Sequence, residues 1–395
     1  MAKITMPSSA EKIIDTLYEN GYEAYIVGGC VRDSLIGREP YDFDITTSAP
    51  PERIKEIFGR TVDTGIAHGT VTVICDGGVH EVTTYRIDGE YRDMRHPESV
   101  LYTDNLYLDL ARRDFTVNAL AYNGRVGVVD VFDGIGDLEK KIIRCVREPE
   151  ERFAEDALRV LRAIRFSSVL DFEIEEKTGD AVRKFAPRLK SISAERIFTE
   201  WKKLLSGKRA YEVIKNYSDV ILEFIPELEQ VRLPEKEAFD SLSYDERQLA
   251  LFALSSGAQG FSAAAKSLKM DSKTRDTGIS VLNNLSLCRE MTDNEIKLFL
   301  IGKDDEMSLK IAKICAALGK CGKNISRRVA ELMNEGSIRK LSQLEIDGSD
   351  ILSLGIRGER VGKILNELLK LAAVGEIKNE RCELLAYVKE NNLKA

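Results

Sequence analysis

Tyr25-Ile-Val-Gly-Gly-Cys-Val-Arg-Asp-Ser-Leu-Ile-Gly37, followed after a short polar insert by Asp42-Phe43-Asp44-Ile45-Thr46, decides how the rest of the chain is read. An apolar run from Ala24 to Val27 ends at Gly28-Gly29, and paired glycines after such a run allow a tight turn and close backbone approach. The expectation is a buried strand that breaks into a short helix ending near Gly37, with amides at the helix start suited to a phosphate. The second part alternates. On a strand, Asp42 and Asp44 share one face while Phe43 and Ile45 point to the core.

Two carboxylates side by side repel, and a fold keeps both ionised most readily with a divalent cation between them. Mg²⁺ prefers oxygen ligands and is usually held by one or two carboxylates plus substrate phosphates, so the pair points to phosphoryl or nucleotidyl transfer. Asp-x-Asp alone is also what the exposed face of an edge strand carries. The residues ahead of it narrow the choice. Gly-Gly-x-Val-Arg32-Asp followed by Asp-x-Asp resembles the signature of the DNA polymerase beta-like nucleotidyltransferases, and within them the class II tRNA nucleotidyltransferase and bacterial poly(A) polymerase family.

At 395 residues the chain is too long for one ordinary core, and its 43% apolar and 31% charged content is that of a globular protein. No apolar run approaches the roughly 18 to 20 residues of a membrane span, and the N-terminus lacks a signal-peptide core, so the cytoplasm is the expected compartment. Seven scattered cysteines without a Cys-x-x-Cys pair read as reduced core residues. A net charge of −7 argues against coating nucleic acid through bulk charge, but leaves room for a local basic groove. The three histidines, His68, His80 and His96, fall early in the chain, so nothing later can build a His-Asp phosphohydrolase site.

Around the opening signature, residues 8 to 20 read as an amphipathic helix with Ile13, Ile14 and Leu17 on one side, and Pro50-Pro51 starts another reaching about Phe58. His68 to Ile74 and Val79 to Tyr85 flank Asp76-Gly77-Gly78, a hairpin signal. Glu81 on the second of these strands is a candidate third carboxylate, able to accept the proton of an attacking hydroxyl, or a solvated hairpin residue. Residues 86 to 97 are polar and broken by Gly89 and Pro97, which reads as a loop. In the resembling family this position holds a flexible loop that enzymes adding the full CCA end retain. His96 stands where an arginine often precedes the proline.

Arg112-Arg113-Asp114-Phe115-Thr116-Val-Asn118-Ala matches the family's Arg-Arg-Asp-Phe-Thr-x-Asn-Ala, and guanidinium forks suit triphosphate oxygens. Val126 to Phe132 and Lys141 to Val146 read as the last strands of the first domain. A single long helix is expected from about Pro149 to Leu170, carrying Asp156, Arg159, Arg162 and Arg165 at every third position. Three residues turn about 300°, so these wind around the helix and Asp156 works with Arg159. An i,i+3 salt bridge is the common meaning of that spacing. The whole Glu-Asp-x-x-Arg-x-x-Arg pattern, however, matches the family's.

The chemistry of that pair is specific. An ionised Asp only accepts hydrogen bonds and an Arg only donates them. Cytosine and adenine both offer an amino donor beside a ring-nitrogen acceptor, whereas uracil and guanine present a carbonyl where the Asp needs a donor. One protein surface thereby admits CTP and ATP without a template.

The resemblance, strong over about residues 22 to 170 and loose beyond, implies an α+β fold. Its parts are a polymerase-beta-like head of mixed sheet and helices (1–146), then an all-α neck (147–205), body (206–285) and tail (286–395). It implies addition of CCA to the 3′ end of tRNA from CTP and ATP with Mg²⁺. Asp42 and Asp44 bind metal, with Glu81 as third acid. Gly29, Arg32 and Arg113 contact triphosphate, Asp156 and Arg159 select the base, and Arg162 and Arg165 position the nucleotide. The tail grips tRNA by shape. No protein partner or membrane is implied. An A-adding enzyme or poly(A) polymerase of the same family is the alternative, and a catalytically silent RNA-binding helical module is the alternative from another class. Segments near 193–205, 208–224, 244–256, 261–269, 293–301, 308–318, 324–334, 349–354 and 359–373 are read as helices, and the basic stretch from Lys320 to Arg328 as either an RNA contact or a solvated helix start.

Overall fold

The computed structural model describes residues 4–88, 100–287, 291–336 and 338–392. It divides into two compact units, Met1–Ile225 and Pro226–Ala395.

In the first unit α1 (Ser8–Glu19) presents Ala10, Ile13, Ile14 and Leu17 to the sheet, as its spacing predicts, and packs on β1 (Ala24–Val27). Next come α2 (Gly29–Leu35), β2 (Ile45–Thr47), α3 (Pro51–Ile57), β3 (Thr61–Gly65), β4 (Thr70–Cys75) and β5 (Gly78–Thr84). Then follow β6 (Arg86–Asp88), β7 (Val100–Tyr102), α4 (Leu106–Ala111), β8 (Leu120–Asn123) and β9 (Gly127–Asp130). Among the described residues the main sheet has seven strands in the order β3-β4-β5-β2-β1-β8-β9. Only β2 and β5 run parallel, so the sheet is mixed. Asp76 and Gly77 turn between β4 and β5, both at positive φ, as the hairpin signal requires.

Several local expectations change. Asp42 to Asp44 lie just before β2 rather than within it, although the Asp44 carbonyl already accepts the Val27 N–H at 3.0 Å. Phe43 is only half-buried. The β4 strand begins at Thr70, and His68 closes a one-turn 3₁₀ helix. Arg86 to Asp88, read as loop, pair as β6 with β7. The rest of that predicted loop, 89–97, lies outside the described residues.

After β9, α5 (Gly134–Lys140) stands where no helix was expected, and Lys141 to Val146 contributes only β10 (Ile142–Ile143), paired with β11 (Glu173–Ile174) outside the main sheet. The expected single helix from Pro149 is two, α6 (Pro149–Glu155) and α7 (Leu158–Leu170). Asp156 breaks it in an extended conformation, and its Oδ1 accepts the Leu158 N–H at 2.9 Å. A short polar side chain that captures a free amide competes with helix continuation. Buried Val160, Leu161, Ala163 and Ile164 make α7 central, with α8 (Glu176–Phe185), α9 (Ala194–Ser206), α10 (Ala210–Asn216) and α11 (Ser218–Phe224) completing the unit.

The second unit is helical: α12 (Lys236–Asp240), α13 (Tyr244–Leu254), α14 (Gly257–Ser267), α15 (Ser272–Asn283), α16 (Asp293–Leu300), α17 (Asp305–Ala317), α18 (Ile325–Asn334), α19 (Gly348–Ser353), α20 (Glu359–Val374) and α21 (Arg381–Asn392). Capping boxes at Ser243/Glu246 and Thr292/Glu295 start α13 and α16. The sequence reading missed α8, α12, α15 and α21. The first turns of α15, Ser-Lys-Thr-Arg-Asp-Thr, are polar, and it buries only Gly278 and Val281. Arg327 and Arg328 pair with Glu331, and Arg328 also with Asp293, so the α18 end of this basic stretch is charge-paired on the helix surface. Of the described cysteines, Cys30, Cys145, Cys315 and Cys321 are buried as expected, but Cys75 is half-buried and Cys382 exposed. Among the described residues no helix is long and apolar enough to cross a membrane.

Candidate active site

Strand direction gathers the motifs at one end of the sheet. Because β1 is antiparallel to β2, its last residue meets the approach to β2, where Asp42 and Asp44 lie. The parallel register Ile45↔Val82 sets Glu81 beside Asp44. Since β8 is antiparallel to β1, the Arg113–Asn118 segment enters at the same end, and the Gly28 N–H donates to the Leu120 carbonyl at 3.0 Å.

Gly28 has φ +80°, and a Cβ there would meet Arg113 Nη1 at 3.0 Å. Glycine therefore serves twice, allowing the turn and admitting the guanidinium. Both arginines of the pair answer to the buried Asp109: Arg112 at 2.8 Å and Arg113 at 3.5 Å. Arg112 is committed to that carboxylate. Arg113 keeps a buried Nε–H with no partner among the described residues.

Partial desolvation together with the Asp42 and Glu81 charges pushes the Asp44 carboxyl up to about 6, against the opposing charge of Arg113. The three acids act on one another electrostatically, and Asp42, Asp44 and Glu81 all keep solvent-facing surface. Among the described residues no three acids, histidines or cysteines close around an ion on their own. The donor set therefore fits a divalent cation completed by phosphate oxygens and water rather than an all-protein cage.

His80 was not among the expected site residues. It is buried between α1 and the acidic segment, with Nε2 2.8 Å from Ser9 Oγ and Nδ1 3.2 Å from the Phe43 carbonyl, the one lying between the two aspartates. A Cβ on Gly78 would collide with both Ser9 and His80, so that glycine lets the pair form.

A chain of charge-assisted bonds links three motifs. Asp33 accepts two bonds from Arg32 at 2.9 and 2.8 Å, and Arg32 Nη1 donates to Asn118 Oδ1 at 2.5 Å. Asn118 Nδ2 donates to Asp114 Oδ1 at 3.0 Å, and Arg162 donates to Asp114 Oδ2 at 2.8 and 2.6 Å. Burial alone would raise Asp114, but the Arg162 charge, the Asn118 and Arg162 hydrogen bonds and the Arg159 charge together hold it well below the usual carboxylate range.

Asp156 and Arg159 are both present on this neck, but their side chains are held by different partners. Asp156 Oδ2 accepts from Arg196 at 3.0 Å, and Arg159 bonds Glu155 at 2.6 Å and the Arg112 carbonyl at 3.1 Å. Arg165 pairs with buried Glu200 at 2.8 Å and lies 3.4 Å from the Phe166 ring centroid. Arg196 and Glu200 carried no sequence signal, being 40 and 35 residues from their partners. Asn118 lies inside the Arg112–Ala119 motif, but its partner Arg32 is 86 residues away and leaves no local signal.

A mixed-sheet head with clustered carboxylates, a Gly-Gly turn and a basic clamp, followed by a helical neck, defines a nucleotidyltransferase of the poly(A) polymerase type. Residues 24–144 match the family described as the Poly A polymerase head domain, and residues 171–230 match the probable RNA and SrmB-binding site of polymerase A. The chain is 35% identical over 390 residues to the CCA-adding enzyme of Lactobacillus delbrueckii subsp. bulgaricus, covering 96% of this chain and 97% of that one. It is 36% identical over 391 residues to the CCA-adding enzyme of Geobacillus stearothermophilus, covering 96% of each. The crystal structure of the Bacillus stearothermophilus CCA-adding enzyme in complex with CTP superposes with a TM-score of 0.78 at 31% identity, over 98% of this chain and 99% of that one. The Thermotoga maritima CCA-adding enzyme complexed with tRNA shares the fold, with a TM-score of 0.68 at 20% identity over 97% and 94% of the two chains. This chain belongs to the CCA-adding enzyme family of nucleotidyltransferases, a family generally dependent on a divalent metal.

Proposed function

We propose that this protein adds CCA, without a nucleic-acid template, to the 3′ end of tRNA from CTP and ATP, releasing pyrophosphate. The observation that carries the reading is the convergence of Asp42, Asp44 and Glu81 with Arg113 at the Gly28 turn, in a chain that matches CCA-adding enzymes along its length.

Asp42 and Asp44 would hold Mg²⁺, with Glu81 as the third carboxylate. When bound, the ion supplies charge neutralisation at the phosphates and lowers the pKa of the attacking hydroxyl. The primer 3′-oxygen attacks the α-phosphorus, its proton passes to Glu81 or solvent, and the bond to the β-phosphate oxygen breaks. Arg113 and the Gly29 amide would contact the triphosphate. Arg32, anchored by Asp33 and Asn118, supports the same face.

Asp156 and Arg159 read the base. Each Asp156 oxygen accepts one bond from the protein and retains another lone pair for an amino group. Arg162, through Asp114, and Arg165, through Glu200, keep that reading surface in place. The helical second unit, its tail above all, holds the tRNA by shape.

The test is incubation of the protein with Mg²⁺ and labelled CTP and ATP on tRNA lacking its last three nucleotides. Full CCA ends are expected. Addition of adenosine alone, or of a long adenosine tract, would assign the chain to the A-adding or polymerase branch instead.

A further inference from the structure

We infer that the neck carries a second anion site, separate from the catalytic acids, which takes a backbone phosphate of the tRNA. This rests on the tRNA-extending reading above. A cavity of about 400 Å³ opens between Arg38, three residues past α2, and the facing parts of α7 and α9, lined by Arg38, Arg165, Lys203, Ser206, Gly207 and Lys208. All lie in the first unit.

Four cations line this space, and the charge balance is one-sided. Arg165 is paired with Glu200, which also stands 4.0 Å from Arg162. The Arg38 guanidinium donates to the Val169 carbonyl, at 3.4 Å. Among the described residues Arg38, Lys203 and Lys208 have no carboxylate within ion-pair distance, in a chain whose net charge is −7. Like charges gathered in a concavity raise its potential and draw in an anion. Lysine and arginine side chains offer hydrogen-bond donors and no acceptors, which is the complement of a phosphate.

Position favours the RNA backbone over the triphosphate. Arg32 and Arg113 with the Gly28-Gly29 turn already face the incoming nucleotide, at the acid-bearing end of the sheet. The pocket adjoins that set through one ring: Arg165 lies 3.4 Å from the Phe166 centroid, and Arg32 and Arg162 each lie 5.3 Å from it. A strand whose 3′ end reaches the catalytic acids must pass its preceding phosphates over nearby protein. Arg38 is also held in place, because its N–H closes on the Asp33 carbonyl at 2.8 Å while Gly37 takes φ +72°.

The experiment replaces Lys203 and Lys208 together by glutamine in the full chain and measures tRNA binding across a salt series, with KM for CTP and for tRNA in parallel. Loss of the lysine contacts to that one phosphate should lower the log–log salt slope by about 0.7 to 0.9 and weaken tRNA binding by about tenfold at low salt. KM for CTP should stay within about twofold, the ordinary scatter of a remote surface change. The paired arginine variant, K203R with K208R, should bind tRNA as the unsubstituted protein does. An unchanged salt slope, or a rise in KM for CTP in place of tRNA, would overturn the inference. Extension of the same tRNA by the unsubstituted protein separates this outcome from a failure of the functional reading, which that control tests alone.

Discussion

Arg162 on α7 donates two hydrogen bonds, at 2.8 and 2.6 Å, to the single oxygen Asp114 Oδ2 in the head. That bond joins two motifs 48 residues apart and ties α7 to the sheet that carries the acids. Asp114→Asn leaves Arg162 facing a neutral amide and should cost about 2 to 3 kcal/mol. This is below the roughly 3 to 5 of a fully buried pair, because Arg162 is one-third exposed and Glu200 remains near. Asp114 also has a depressed pKa, so its contribution is complete above its ordinary value of 3.8 and is lost as pH falls through the folded-state value. Denaturant melts between pH 5 and 2 should show a steeper acid loss in the unsubstituted protein than in the variant.

Asp44 predicts the opposite sign. Its folded pKa is raised to about 6, so without metal the folded state binds more protons than the unfolded chain between 3.8 and about 6, and stability falls as pH rises through that window. Asp44→Asn should abolish nucleotide addition yet melt at a higher temperature than the metal-free parent at pH 7. The gain should be no more than about 1 kcal/mol, because the residue is exposed. Since metal competes with the proton, the Mg²⁺ needed for half-maximal activity should rise as pH drops below about 6. A flat Mg²⁺ requirement from pH 5 to 8 would remove Asp44 from the metal set.

Asp42→Ala should abolish transfer while leaving tRNA binding near its starting value, since the side chain is exposed and bears no structural hydrogen bond among the described residues. Filter binding alongside the addition assay distinguishes lost chemistry from lost substrate.

His80→Phe removes the bonds to Ser9 and to the Phe43 carbonyl and leaves a buried hydroxyl unsatisfied, at about 1 to 3 kcal/mol. Because that carbonyl lies between Asp42 and Asp44, the variant should also need more Mg²⁺ for half-maximal activity. An Asn at the same position, able to donate to the carbonyl, should recover part of the Mg²⁺ response. A purely thermal effect with an unchanged Mg²⁺ curve would make His80 a packing residue.

Asp156→Ala and Arg159→Ala should each relax discrimination against UTP and GTP and also slow use of CTP and ATP, since each removes a group that the wrong base cannot satisfy. Asp156→Ala further uncaps α7 at Leu158 and strips Arg196 of its partner, so about 1 kcal/mol of stability should go with it. An equal loss of rate for all four nucleotides would place base reading elsewhere.

The sequence by itself determined the elements whose signal is local. Glycines at Gly28 and Gly77 dictate their turns, and the apolar spacing of α1 and α7 gives helices. It also held residue types suited to phosphate transfer, because carboxylates, guanidiniums and paired glycines have few substitutes there. Only the tertiary structure decided which of those groups meet. The parallel pairing of β2 with β5 brings Glu81 to Asp44, and the antiparallel β8 brings Asn118 to Arg32. It likewise decided that Asp156 ends one helix and begins the next, bound to an arginine 40 residues away, where periodicity read one continuous helix. Periodicity records what a residue does within a few turns of its own chain, whereas a buried charge is settled by whichever opposite charge the fold delivers to it.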